Sequence, residues 1–258
     1  MKLGILGVGN MGGAILMGML KQAAVSSKDV LIYNRSPKKI EKFVELGVSV
    51  AKDELDLVSN SDILLLGVKP KDFEALASRI KDHIKEDALI ISIAAGISTQ
   101  RFQELFDRKK CVRVMPNTPA LIGQGMTAIS RNDDLSEDDL YTVKEIFDAV
   151  GETAIIEEDL MEAFSSISGC MPAFVDVFIE AAADAAVSEG IKRDDAYKYI
   201  SKAVAGSAQM VYETGQHPGI LKDQVCSPSG STIKGVLALE RDGFRNAVIN
   251  AILESKIK

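Results

Sequence analysis

The stretch that most constrains this chain is its start, where an apolar strand signal runs through a glycine-rich turn into a helix signal. Strand, turn and helix in this order are the context in which a GxGxxG pattern binds a dinucleotide, rather than serving only as a structural turn. Gly7 permits the tight turn, Gly9 lets the backbone approach a pyrophosphate, and Gly12 lets the helix pack closely on the strand. The helix N-terminus then favours the phosphates. The expected cofactor contacts here are Leu6, Gly7, Val8, Gly9, Asn10, Met11 and Gly12.

Strand and helix signals alternate through the first half of the chain. Apolar strand signals recur at residues 30–34, 48–50, 62–68, 88–93 and 111–115, with helix signals after several of them. Ser36 and Pro37 are typical of the cap and the first residue of a helix. This alternation predicts an α/β fold, a doubly wound sheet of parallel strands with right-handed crossovers. Two further strands, at 125–130 and 153–156, are expected at one edge of that sheet.

The pattern changes near residue 157. Beyond it we find no strand signal, and apolar residues such as Phe174, Val177, Phe178 and Ala181 recur at helical spacing. We therefore expect a Rossmann domain that binds the cofactor over residues 1–157 and an all-helical domain over residues 158–258. So much apolar surface on helices predicts that two copies associate into a homodimer through the helical domain.

Charge and cysteine usage narrow the class of protein. The net charge of -7 argues against nucleic acid as a partner, and no apolar run is long enough to span a membrane. Cys111, Cys170 and Cys226 are scattered, which predicts a reducing, cytoplasmic location without disulfides. With only His83 and His217 in addition, no metal site is expected. The first residues also lack the pattern of a secretory signal.

The residues after the second strand indicate which cofactor is used. NAD-binding folds place an acidic residue there to hold the ribose 2′-hydroxyl, whereas this chain has Asn34, Arg35 and Ser36. Arginine and hydroxyl groups would bind a 2′-phosphate through charge-assisted hydrogen bonds. The alternative is that Arg35 is an ordinary solvated loop residue. We expect NADPH as cofactor, with NADH also usable.

Other strand ends should form the floor of the same crevice, because ligands of open α/β sheets sit outside the carboxyl ends of the strands. Small residues there would let a flat nicotinamide or a ribose approach. Lys69 could act as a catalytic acid, but its position suits a cofactor contact, which we favour. The further expected cofactor contacts are Gly67, Val68, Lys69, Pro70, Ile93, Ala94, Ala95 and Asn117.

The helical half contains one stretch of unusual chemistry, residues 223–232, immediately before a helix signal at 233–241. Small residues and a proline before a helix leave several backbone N–H groups uncovered, and these can bind a carboxylate. Ser231 and Thr232 add hydroxyl groups beside that anion. Plain helix capping by serine and threonine explains the stretch equally well.

Several motifs together resemble the Δ1-pyrroline-5-carboxylate reductase family. They are residues 115–120 with Gly123 and 125–127, residues 168–174, residues 223–240, residues 243–245, the N-terminal glycine turn and Val68-Lys69-Pro70. The similarity runs through the whole chain in order, and as a set these motifs are far more specific than the glycine turn alone.

The resemblance implies an activity, a fold and a set of roles. The family reduces the cyclic imine pyrroline-5-carboxylate to L-proline with NAD(P)H, the last step of proline synthesis. Its fold is a Rossmann domain with a helical dimerisation domain, often assembled into pentamers of dimers. The residue matching Thr232 lies beside the imine nitrogen and is the expected catalytic residue. The implied substrate contacts are Glu158, Gln224, Ser227, Gly230, Ser231 and Thr232.

This chain departs from the family pattern at a few positions. Ser229 replaces the first glycine of an SPGG motif, and serine would carry strain there if the position requires a positive φ. Ser231 replaces a threonine, a mild change if its backbone does the binding. Cys170 and Met171 replace a serine and a glycine, so Met171 could narrow the substrate site. These departures bear on efficiency and substrate range more than on reaction class.

The implied reaction requires no nucleophilic side chain. Hydride adds readily to a protonated imine, so the protein mainly has to hold the imine carbon against the nicotinamide. His217, in a Gly/Pro turn, is interpreted as structural. Two alternatives stay open at this point: an NADP-linked reductase of another imine or of a β-hydroxy acid, and a protein that binds NADPH and a carboxylate without turnover.

Overall fold

The structure, a computed structural model, describes residues 1–256. Contacts between Cα atoms divide these residues into two compact units, Met1–Gly169 and Cys170–Lys256. Residues 158–169 therefore pack with the first unit, which places this division beyond residue 157. The functional boundary proposed after residue 157 stays a prediction.

The first unit is built on one eight-stranded sheet with the order β3-β2-β1-β4-β5-β6-β7-β8. Neighbouring strands are parallel except β6 and β7, which pair antiparallel. The strand order reverses direction at β1, so the doubly wound α/β fold is confirmed. The strands are β1 (Leu3–Leu6), β2 (Val30–Tyr33), β3 (Ser49–Val50), β4 (Ile63–Leu66), β5 (Leu89–Ser92), β6 (Cys111–Met115), β7 (Gly125–Ser130) and β8 (Gly151–Ile156).

Helices cover both faces of this sheet. One apolar cluster joins β1, β4 and β6 to helices that include α1 and α6, and a second cluster joins the opposite face to helices α3, α4 and α5. All four residues of β4 are buried, as its continuous apolar run predicts. The helices are α1 (Asn10–Lys21), α2 (Glu41–Glu45), α3 (Glu54–Ser59), α4 (Phe73–Ile80), α5 (Thr99–Phe106), α6 (Glu137–Asp148) and α7 (Met161–Phe164).

The helix start predicted at Ser36 and Pro37 is confirmed in position, but its first turn is a 3-10 helix and not an α-helix. Pro37–Lys39 form a 3-10 turn, in which the Lys39 N–H donates to the Ser36 carbonyl over 3.2 Å. The Ser36 side chain makes no capping hydrogen bond, and α2 begins only at Glu41. The three-residue hydrogen bond explains the difference, because it closes a tighter turn than an α-helix.

The second unit is all-helical over Cys170–Lys256, as the sequence predicts. Its helices are α8 (Met171–Ser188), α9 (Arg193–Thr214), α10 (Pro218–Gln224), α11 (Ser231–Arg241) and α12 (Phe244–Glu254). Within Cys170–Lys256 only Ala183 and Ala196 are fully buried. Large apolar side chains such as Val177, Leu237 and Leu253 are more than half exposed. Among the described residues, no helix has the length and apolarity that crossing a membrane requires.

Candidate active site

The glycine turn has the geometry that its sequence predicts. Gly7 has φ +97°, a conformation that side chains rarely adopt, and its N–H donates to the Tyr33 carbonyl over 3.0 Å. A Cβ atom on Gly12 would lie 2.4 Å from the Gly7 carbonyl oxygen, and one on Gly67 would lie 2.5 Å from the same atom. Backbone therefore packs directly on backbone between β1, α1 and the end of β4.

Gly9 differs from its neighbours because the space around it is open. A Cβ atom on Gly9 would meet nothing within 4 Å. Gly9 is also the N-cap of α1 and supplies no side-chain capping group. The first N–H groups of α1, at Asn10 and Met11, thus face no protein cap, which is the arrangement that a pyrophosphate requires. The residues present fit a dinucleotide.

A cleft of about 200 Å³ lies at the carboxyl ends of β1, β2 and β4. It brings together many of the residues predicted to contact the cofactor. Those that line it are Leu6, Gly7, Gly9, Asn34, Arg35, Gly67, Val68 and Lys69. Tyr33, Lys39, Glu54 and Asp72 also line this cleft, and sequence reasoning did not assign them a role.

A larger groove of about 720 Å³ adjoins this cleft and shares Gly9 and Lys39 with it. Val8 and Asn10 line the groove together with Lys38 and Lys42. Eight of the predicted cofactor residues line neither space: Met11, Gly12, Ser36, Pro70, Ile93, Ala94, Ala95 and Asn117. Their roles as cofactor contacts stay predictions.

The turns after β2 and β4 shape the cleft through local hydrogen bonds. The Asn34 side-chain amide donates to the Ser36 carbonyl over 3.0 Å, so it stabilises the turn that presents Arg35. Arg35 Nη1 lies 4.0 Å from Asp72 Oδ2. Pro70 begins the 3-10 turn Pro70–Asp72 that leads into α4.

Small residues follow β5, as the sequence predicts for the floor of the crevice. Ala94 is buried, and its N–H donates to Ser92 Oγ over 3.2 Å. Ile93 packs against one core cluster of the sheet and Ala95 against another. The chain then turns at Gly96 with φ +74°.

Asn117 was predicted as a cofactor contact. Both the oxygen and the nitrogen of its side-chain amide form hydrogen bonds within the protein. Its Oδ1 accepts the Met126 N–H over 3.0 Å. Its Nδ2 donates to the Ser168 carbonyl oxygen and to Ser168 Oγ over 3.3 and 3.1 Å. Asn117 therefore ties the end of β6 to the start of β7 and to a π-helical turn, Ser165–Gly169. Cofactor binding by Asn117 stays a prediction.

Glu158, predicted as a substrate contact, lies in the first unit within a network of charged and hydroxyl groups. Its Oε1 accepts the Thr99 N–H and Arg113 Nη1, each over 3.1 Å. Its Oε2 accepts Thr99 Oγ1 over 2.7 Å and Ser130 Oγ. Burial alone would raise the pKa of Glu158, but the hydrogen bonds from Ser130, Thr99 and Arg113 outweigh it and lower that pKa.

Sequence reasoning missed the partners of Glu158, and the buried Arg113 is the most informative of them. Its side chain is only 3% exposed, and it bridges Glu158 and Glu162, with Nη2 2.5 Å from Glu162 Oε1. A charged residue in the middle of an apolar strand signal was the available clue, since arginine is rarely buried without partners. With both oxygens of Glu158 already bonded, a positioning role fits this carboxylate well, and its contact with substrate stays a prediction.

The predicted anion-binding stretch forms the N-terminus of α11 in the second unit. Gly230 is the N-cap residue, and no side chain caps this helix end. The Gly230 N–H donates to the Ser227 carbonyl over 3.0 Å, which folds the turn back on itself. Ser231 and Thr232 are the first residues of the helix and are exposed. Their N–H groups have no partner within the helix, so they are free to bind a carboxylate.

Two further expectations for the second unit are confirmed. Ser229 has φ +61°, so the serine occupies the left-handed conformation in which it carries strain. His217 Nδ1 accepts the Gly219 N–H over 3.0 Å and caps α10, so its role is structural. Gln224 is the last residue of α10, a few positions before the turn that Ser227 begins.

Two family descriptions match this chain. One, pyrroline-5-carboxylate reductase dimerisation, covers residues 158–258. The other, NADP oxidoreductase coenzyme F420-dependent, covers residues 2–96. The first spans the helical unit and the second spans the glycine turn and the cleft.

Curated proteins and solved structures match over nearly the full length. Pyrroline-5-carboxylate reductase of Escherichia coli is 42% identical over 97% of this chain and 94% of its own length. The enzyme of that name from Methanosarcina acetivorans is 38% identical over 98% of this chain and 95% of its own. The crystal structure of Plasmodium falciparum pyrroline carboxylate reductase with NADP bound superposes with a TM-score of 0.90 at 31% identity, covering 98% and 95% of the two chains.

Proposed function

The chain belongs to the pyrroline-5-carboxylate reductase family, and from this membership we propose that it reduces 1-pyrroline-5-carboxylate to L-proline, the last step of proline biosynthesis. The reaction adds a hydride to the imine carbon and a proton to the imine nitrogen. NADPH supplies that hydride when bound. The geometric observation that carries the proposal is the uncapped start of α11, where consecutive N–H groups can hold the substrate carboxylate.

Different residues of that turn bind different parts of the substrate. The N–H groups of Ser231 and Thr232 hold the carboxylate, with Gln224, Ser227 and Gly230 as neighbouring contacts. The Thr232 hydroxyl hydrogen-bonds the imine nitrogen, which orients the ring and polarises the C=N bond. Glu158 is a further proposed substrate contact, and Arg113 holds its carboxylate in place. No nucleophile is required, because an iminium carbon is already electrophilic.

The first unit binds the coenzyme. The open space at Gly9 and the uncapped start of α1 suit the pyrophosphate. Asn34, Arg35 and Ser36 lie after β2, where the 2′-phosphate of NADPH would meet a guanidinium rather than a carboxylate. NADPH is therefore the preferred coenzyme, and NADH is usable.

The working form is a homodimer assembled through the helical unit, with a decamer made of five such dimers as a further assembly. The exposed apolar side chains of α8, α11 and α12 support this assignment, because a solvated helical unit rarely leaves so much apolar surface uncovered. The cytoplasm is the proposed location. All three cysteines are unpaired, which suits a reducing compartment.

One experiment tests the activity. Purified protein is mixed with NADPH and 1-pyrroline-5-carboxylate, the absorbance of NADPH is followed, and proline is assayed. Loss of absorbance with equal formation of proline is expected. NADPH binding without any turnover would instead favour a binding protein. Turnover of other imines or β-hydroxy acids, with none of pyrroline-5-carboxylate, would indicate a different reductase.

A further inference from the structure

The cleft at the ends of β1, β2 and β4 contains charges of both signs. Arg35, Lys39 and Lys69 line it as cations, and Glu54 and Asp72 line it as carboxylates. A cleft that selects a phosphate by charge alone would not be expected to hold carboxylates, because they repel the ligand. The two carboxylates therefore need separate explanations.

Glu54 is accounted for by a partner outside the cleft lining. Its Oε2 accepts Arg79 Nε over 2.9 Å and lies 2.8 Å from Arg79 Nη2. This ion pair, in which one carboxylate oxygen contacts two guanidinium nitrogens, joins α3 to α4 and neutralises the carboxylate. The Glu54 side chain is only 16% exposed, so its charge is largely committed to Arg79.

Asp72 has no comparable partner, and its nearest cation is Arg35. Asp72 Oδ2 lies 4.0 Å from Arg35 Nη1, with 35% of the Asp72 side chain and 64% of the Arg35 side chain exposed. Asp72 is the last residue of the 3-10 turn that runs directly into α4, and its side chain makes no capping hydrogen bond. Its ion pair is with Arg35, across the cleft from the turn after β2.

This pair sets up a competition for Arg35. A 2′-phosphate carries close to two negative charges and needs the guanidinium that Asp72 also attracts. A ribose 2′-hydroxyl carries no charge, and carboxylates in related sites accept a hydrogen bond from it. Asp72 should therefore weaken binding of NADPH without weakening binding of NADH.

We propose that Asp72 is a specificity-determining residue, which acts through Arg35 to moderate the preference for NADPH and to keep NADH usable. The proposal rests on the proposed coenzyme site of this protein. The competing explanation is that Asp72 only supports the start of α4 through the helix dipole. That role would change stability and would not distinguish the two coenzymes.

The test is equilibrium binding of NADPH and of NADH to the full-length protein, without substrate. The chain has no tryptophan, so the fluorescence of the reduced nicotinamide can be followed directly. The key variant is Asp72→Asn, which keeps the shape of the side chain and removes its charge. Glu54→Gln is the matched control, because it removes the same charge from the same cleft without releasing Arg35. Arg35→Ala and the double variant Arg35→Ala/Asp72→Asn complete the set.

Asp72→Asn is expected to lower the Kd for NADPH about two- to fivefold, the range of a partly exposed ion pair, and to leave the Kd for NADH unchanged or raised. Glu54→Gln should shift the ratio of the two Kd values less. In the Arg35→Ala background, most of the gain from Asp72→Asn should disappear.

Three results would overturn the inference: equal changes for both coenzymes, an equal shift from Glu54→Gln, or an undiminished gain in the Arg35→Ala background. A wild-type protein that binds no NADPH would count against the proposed function as well. Binding of NADPH with an unchanged ratio in Asp72→Asn would count against this inference alone.

Discussion

Ser229 and Gly230, in the turn before α11, give that turn its backbone shape. Ser229 has φ +61°, a conformation that costs a non-glycine residue about 1–2 kcal/mol. The next residue, Gly230, could not carry a side chain easily, since a Cβ atom there would lie 2.4 Å from Ser227 Oγ. The backbone is thus held in one tight shape directly before α11. That shape is what leaves the N–H groups of Ser231 and Thr232 uncovered.

The Thr232 hydroxyl gives the first prediction. Thr232→Ala should lower kcat about tenfold or more, the effect of a hydrogen bond of about 1.4 kcal/mol made in the transition state. The affinity for NADPH should change little, because Thr232 lies in the other unit from the glycine turn. Steady-state kinetics and coenzyme titration measure the two effects.

Thr232→Ser is the matched control, since it keeps the hydroxyl and should retain most of the activity. Equal losses of turnover and of NADPH affinity in Thr232→Ala would mean that Thr232 is structural. Full activity in Thr232→Ala would remove it from the mechanism.

The Glu158 network gives a prediction about pH. The pKa of Glu158 is lowered from its ordinary value of 4.5, so the ionised carboxylate stabilises the folded protein above that value. This stabilisation is lost as the pH falls through the lower pKa of the folded state. Glu158→Gln should reduce the free energy of unfolding by about 1–3 kcal/mol at about pH 7. The difference from wild type should shrink towards about pH 3.

Urea unfolding at the two pH values measures this difference. Glu157→Gln is the control, because that side chain is 68% exposed and lies 3.8 Å from Arg131, so it should cost little. A difference for Glu158→Gln that is the same at both pH values would contradict a role for its charge.

At the scale of elements, two glycines of the N-terminal turn are expected to serve different purposes, Gly12 the stability of the fold and Gly9 the binding of NADPH. Gly12→Ala should destabilise the protein by about 1–3 kcal/mol, because its Cβ would collide with the Gly7 carbonyl oxygen at 2.4 Å. Gly9→Ala should leave stability nearly unchanged, since nothing lies within 4 Å of its Cβ position. It should nevertheless raise the Kd for NADPH about tenfold or more, because the methyl group occupies the space that the pyrophosphate needs.

Thermal unfolding and coenzyme titration on both variants give the comparison. Each variant serves as the control for the other, since the same side chain is added three positions apart in one turn. An unaltered Kd for NADPH in Gly9→Ala, with the protein folded, would show that the pyrophosphate does not bind at this turn.

The elements that the sequence predicts well are those whose signal is local. Strand β4 is predicted by its continuous apolar run and the glycine turn by the spacing of its glycines. Both have the expected form. The π-helical turn Ser165–Gly169 has no such signal. It depends on Asn117, whose hydrogen bonds reach Ser168 across a long stretch of chain. Arg113 and its glutamates are likewise joined only by folding, so their pairing could not be predicted from spacing.

At the scale of the whole molecule, the helical unit gives a prediction about assembly. Ile249 and Leu253 lie one turn apart on α12 and are 55% and 56% exposed. Ile249→Glu with Leu253→Glu should weaken the dimer at least about tenfold, because an ionised carboxylate is costly to bury. Analytical ultracentrifugation measures the association, and turnover should fall with it.

Asn250→Glu is the control, since it adds the same charge to the same helix at an exposed polar position. A wild-type protein that sediments as a monomer would refute the assembly outright. A dimer undisturbed by the double variant would show that this face of α12 is not the interface.

The whole-molecule features also mark the limit of prediction from the residues alone. The alternation of strands and helices and the handedness rule predict a doubly wound sheet, and the strand order has that form. The meeting of charges in the coenzyme cleft could not be predicted in this way, because Arg35 and Asp72 approach each other only when β2 and β4 end on either side of β1. Residues far apart in the chain therefore need the structure before their interaction can be recognised.

Because so few residues of Cys170–Lys256 are buried, the rate at which this unit folds should depend on protein concentration. The first unit closes its own core, so it can fold at a rate that is independent of how many copies are present. The second unit buries only Ala183 and Ala196 fully, so in the proposed homodimer its completion waits for a collision with another chain. Recovery of activity after dilution from denaturant would then follow second-order kinetics, and newly made chains would mature faster as they accumulate.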